Sequence, residues 1–178
     1  MLLDSVSCLL ISIFVFTSSK NRTAEKICVH SEEQQTFIEL NYEWVIEEPS
    51  FLPQKNGESF YSPIFFAKAN YKIRWRLRIC PKGANEECED HFSLYLERFL
   101  ASNDQSVSVE VRLTVSKNGK LAFGQSGIQL EMGRDPLLSC WGWDKLAKLS
   151  SLRLDYESQR VGYVPDELRI TCQLVYTI

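Results

Sequence analysis

The stretch YKIRWRLRICPKGANEECEDHFSLYL, residues 71–96, changes pattern twice. Tyr71, Ile73, Trp75, Leu77 and Ile79 alternate with Lys72, Arg74, Arg76 and Arg78. Successive strand side chains point to opposite faces, so this alternation predicts a strand with one dry and one wet side. Pro81-Lys82-Gly83 ends it, because proline removes a ladder donor and glycine tolerates a turn. An acidic loop over 85–90 follows. Then Phe92, Leu94 and Leu96 alternate with Ser93 and Tyr95. Two amphipathic strands joined by a loop of this length predict an antiparallel pair with one side on a core.

Outward from this pair the same period recurs. Phe37 opens a strand pattern through Tyr42, Trp44 and Ile46. A second, over 59–66, is interrupted by Pro63, which marks an edge or a bulge. Val107, Val109, Val111, Leu113 and Val115 alternate with polar residues and lead into Asn118-Gly119, a strong hairpin turn. Ile128, Leu130 and Met132 mark a further strand. Leu168, Ile170, Cys172, Leu174 and Tyr176 form the last one. Between them, Asp144 is placed to cap a short helix running to Leu149. The fold class is therefore an all-β antiparallel β-sandwich of about eight strands with one short helix. Trp44, Trp75, Leu77, Leu94, Leu113 and Ile170 are expected in its core.

The first 36 residues read differently. Residues 9–16 are an apolar run followed by small polar residues, as in a signal peptide, but Asp4 stands where such a leader carries positive charge. The run is too short for a comfortable membrane span, which needs roughly 20 apolar residues. Asn21-Arg22-Thr23 is a glycosylation sequon that matters only if the chain is secreted. Residues 20–36 read as a polar linker. The expected organisation is a leader and linker over 1–36 and one domain over 37–178.

Composition narrows the function. With 44% hydrophobic residues the chain is globular, and a net charge of −3 argues against a nucleic-acid partner. The cations of 72–78 form a local stripe. It is read as a solvated face balanced by the acidic loop, or else as a site for an acidic partner. Six cysteines include no C-x-x-C pair, and there are only two histidines, so no metal site is expected. The cysteines read as small buried thiols, with a bridge between Cys80 and Cys88 left open. No phosphate-binding glycine loop and no paired-carboxylate motif occurs, so no catalytic residue, cofactor or small-molecule substrate is expected.

Five stretches in order resemble the MATH (meprin and TRAF-homology) domain family, most closely its speckle-type POZ protein branch. They are Tyr42-x-Trp44-x-Ile46, residues 62–66, residues 75–83 with 92–96, Trp141-Gly142-Trp143, and Val164-Pro165-Asp166-Glu167 followed by Cys172. Tryptophan at 143 replaces the usual phenylalanine, and residues 130–139 align poorly. The resemblance implies a TRAF-like sandwich that binds short linear segments of partner proteins. In that branch such binding selects substrates for a cullin-based ubiquitin ligase. The chain shows no BTB/POZ domain, RING or coiled coil, so no cullin contact is expected.

Carried over residue by residue, the peptide-binding positions are Tyr95, Val111, Ser139, Cys140, Trp141 and Trp143. Ser139 and Cys140 stand where relatives carry lysine and aspartate, and Val111 where they carry phenylalanine. These changes should alter peptide preference. Trp141 and Trp143 share a parity and are expected beside Tyr95 on one open sheet surface. Core packing is the competing reading for each of these residues, and for Val111 it is the natural one. A nuclear or cytoplasmic location is expected for an adaptor. The alternative is a secreted or membrane-associated recognition module of meprin-like type, if residues 1–19 act as a signal peptide.

Overall fold

The computed structural model describes residues 13–16, 21–30, 35–47, 55–99, 106–133, 139–152 and 167–177. The described residues form eleven strands in two antiparallel sheets. One sheet contains β1 (Ile13–Phe16), β2 (Arg22–His30), β3 (Gln35–Glu47), β8 (Val107–Lys117), β9 (Lys120–Met132) and β11 (Glu167–Thr177), in the order β1-β2-β3-β11-β8-β9. The other contains β4 (Phe60–Tyr61), β5 (Phe65–Ala67), β6 (Asn70–Cys80), β7 (His91–Phe99) and β10 (Cys140–Lys148). Its order is β10-β7-β6-β4, with β5 also paired to β6.

Alternation sets the inner faces. Ile73, Trp75, Leu77 and Ile79 of β6 and Phe92, Leu94 and Leu96 of β7 are buried, and β8 and β11 bury every second residue against them. All six residues expected in the core are buried, Trp75 and Leu77 completely. Trp75 packs on Tyr176 across the sandwich, their ring centroids 5.9 Å apart.

The turns follow their residues. Asn118 (φ 48°) and Gly119 (φ 77°) close the β8–β9 hairpin in the left-handed region that these two residues tolerate. Gly83 (φ 78°) admits no side chain, because a Cβ there would overlap the Cys88 carbonyl. Pro63 separates β4 from β5 at the sheet edge, as its missing donor requires.

Two local readings are corrected and a third is extended. Residues 22–30, read as linker, form β2 and pair along β3 from Arg22↔Glu43 to His30↔Gln35. A polar sequence suffices there because β2 gains ladder hydrogen bonds from β1 and β3 while Thr23 and Lys26 stay half-solvated. Residues 144–149 do not start a helix, for β10 runs on to Lys148 and a 3-10 turn follows over Leu149–Leu152. The helical spacing of Leu146 and Leu149 is instead a register shift between Trp143 and Ala147, which still buries Leu146. β9 begins at Lys120, well before Ile128. Its Gly124-Gln125-Ser126-Gly127 stretch looks like a turn, but it contains a bulge where Gly127 takes φ 73°.

Candidate functional site

Strand β10 is the outermost strand of its sheet among the described residues, so one side of its backbone faces no neighbouring strand. Its other side pairs with β7 in the register Cys140↔Glu97, Trp141↔Leu96, Gly142↔Tyr95 and Trp143↔Leu94. Directly opposed residues share a face. Trp141 and Trp143 therefore lie on the inner face with Leu96 and Leu94, half-buried against the core. Tyr95, Gly142, Cys140 and Glu97 lie on the outer face.

This corrects the expected cluster. The two tryptophans share a side, but it is the side opposite Tyr95. Gly142 is what lets β10 lie close against β7. A Cβ on it would overlap the Leu94 carbonyl and sit 2.6 Å from Tyr95 Cα, so its bareness admits β7 and not a foreign chain. Val111 is fully buried in β8, paired with Leu174 and Ile128 in the opposing sheet, and takes no part in this edge. Its place in an apolar register already pointed inward. Ser139 and Cys140 are half-buried at the start of the edge, where the Arg98 N–H donates to the Ser139 carbonyl at 2.7 Å.

The inner side of the edge is aromatic. Trp141 and Trp143 meet edge-to-face, centroids 4.4 Å apart, and Phe123 of β9 meets Trp143 at 5.0 Å. Among the described residues β9 is the outermost strand of the six-stranded sheet, so these rings bridge the matching edges of the two sheets and remain half-exposed.

The outer side is polar. Tyr95 turns away from the core yet is only 8% exposed, because its neighbours cover it. Its hydroxyl donates to the Asp144 carboxylate, and the Arg78 guanidinium lies 4.0 Å from its ring centroid. Burial, followed by the bond to Asp144, pushes the Tyr95 hydroxyl well above the usual tyrosine range. Arg78 also reaches the Cys140 thiol, Nη2 to Sγ 3.6 Å.

The basic stripe is balanced from β7 and not from the acidic loop. Glu97 accepts from Arg76 Nε at 3.0 Å and Nη2 at 2.5 Å, and from Arg78 Nε at 2.7 Å. Lys72 and Arg74 stay exposed. Cys80, Cys88, Cys140 and Cys172 are free thiols, so the bridge left open between Cys80 and Cys88 is not formed.

The sequence model of the MATH domain matches residues 41–173. The chain belongs to the MATH domain family. MATH domains are protein-interaction modules on a non-enzymatic fold, and they bind protein partners. Here the matched residues run from β3 through β11 and include the whole of the β10 edge.

Phe123 and Glu97 were not singled out from the sequence, Arg78 was read only as part of the basic stripe, and Asp144 only as a helix cap. Arg78 and Glu97 had a signal, opposite charges on the wet sides of consecutive strands. Phe123 had none, because the bulged half of β9 hid its strand.

Proposed function

We propose that this MATH domain binds short extended segments of partner proteins by adding them as a strand beside β10. The observation that carries the reading is the unpaired edge of β10 flanked by two different surfaces: Trp141, Trp143 and Phe123 on one side, Tyr95, Cys140 and Asp144 on the other. An added strand gains main-chain hydrogen bonds, and its alternating side chains meet both surfaces. Apolar residues suit the aromatic side and polar residues the other. Through such binding the domain acts in substrate recognition for a cullin-based ubiquitin ligase, as in the speckle-type POZ branch that the sequence resembles. The reading assigns no cullin contact to these residues.

The test is a nine-residue peptide array followed by titration of the strongest binders into ¹⁵N-labelled protein. Shifts concentrated in the amides of 140–143 are expected. Shifts confined to β2 or β4 would overturn the assignment.

We place the domain in the nucleus or cytoplasm. The free thiols at Cys80, Cys88, Cys140 and Cys172 suit a reducing compartment. Mass analysis of the protein from its native cells checks this, and a glycan on Asn21 would refute it.

A further inference from the structure

At the first residues of β10 the outer face opens into a cavity of about 320 Å³, lined by Arg76, Glu97, Arg98, Phe99, Ser139 and Cys140. Two guanidinium groups, Arg76 and Arg78, share the single carboxylate of Glu97. Among the described residues the Arg78 guanidinium otherwise meets thiols, Cys80 Sγ at 3.8 Å and Cys140 Sγ at 3.6 Å, and the faces of aromatic rings hold both arginines in place. Arg76 lies 4.0 Å from the Tyr61 centroid and 4.8 Å from that of Phe99, and Arg78 lies over Tyr95. These side chains are 29% and 22% exposed, so the excess positive charge is only partly screened by water.

We infer that the segment bound beside β10 carries an acidic side chain, a carboxylate or a phosphate, which enters this cavity and pairs with Arg76 in its wall and with Arg78 beside the Cys140 thiol. The inference rests on the peptide-binding reading and names the chemistry of one of its positions. Guanidinium groups held by ring stacking are already oriented, so little freedom is lost when they bind. A lysine at the same position would meet the cations of Arg76, Arg78 and Arg98 and one engaged carboxylate.

The experiment uses the nine-residue array peptides as matched sets differing at one position in Glu, phosphoserine, Ser or Lys, with every position tested in turn. At one position Glu or phosphoserine should bind about tenfold more tightly than Lys, with Ser between. Preference for phosphoserine alone identifies a phosphate-dependent partner, and equal preference shows that a carboxylate suffices. Arg76→Gln should collapse the difference, while Glu97→Gln should widen it. Both variants are checked for an intact fold by their melting curves. Peptides that bind with no acidic preference, or an acidic preference that survives both Arg76→Gln and Arg78→Gln, overturn this inference alone. If no peptide binds at all, the peptide-binding reading falls and this inference with it.

Discussion

Gly142 sits directly opposite Tyr95 with its Cα so near β7 that a methyl group on it would stand 2.6 Å from Tyr95 Cα. The atoms it would meet are backbone, so no side-chain rotation relieves the overlap. Gly142→Ala should therefore force β10 away from β7 and destabilise the domain by about 3 kcal/mol. Denaturant unfolding measures this. A variant as stable as the parent would show that β10 does not lie against β7 in this register.

Glu97 is the shared acceptor for Arg76 and Arg78, and its side chain is 17% exposed. Removing it leaves two partly buried cations facing each other. Glu97→Ala should cost about 2 kcal/mol, more than an ordinary surface ion pair. Arg76→Ala in the same assay should cost less, because Glu97 keeps Arg78. Equal losses would show that the two arginines do not share the carboxylate.

Tyrosine ionisation offers a pH test. Burial pushes Tyr42 and Tyr176 up to about 12, and raises Tyr95 as well. The unfolded chain loses these protons near pH 10, before the folded one does. Folding stability contributed by these groups is then complete below about pH 10 and is lost as pH climbs toward 12. Absorbance at the tyrosinate band should show these three titrating together with unfolding and not before it. Smooth titration of all seven tyrosines near pH 10 in a still-folded protein would contradict their burial.

Phe123 tests the aromatic side of the edge. It is half-exposed and meets Trp143 edge-to-face from the other sheet. Phe123→Ala should weaken binding of an array-selected peptide by about 1–2 kcal/mol while the melting temperature moves little. Unchanged affinity would place the bound segment elsewhere than beside β10.

The sequence by itself determined which residues of a strand share a side. Over 71–79, 107–115 and 168–176 the alternation is unbroken, and the structure buries the apolar set in each except Tyr71, which stays exposed at the start of β6. This holds because the two-residue period is a property of the extended backbone and needs no knowledge of neighbours. The Asn-Gly hairpin and the edge position around Pro63 were legible for the same local reason. The tertiary structure alone decided which strand lies beside which, and therefore which side of β10 is inner. Trp141 and Trp143 share a parity in the sequence, but only the pairing of 141 with Leu96 and 143 with Leu94 turns them toward the core and away from Tyr95. The polar residues of β2 became a strand because β3 offered an edge, and Glu97 became the partner of two arginines because β7 lies against β6. Such choices depend on residues far apart in the chain, whose contacts are fixed when the two sheets close on one core.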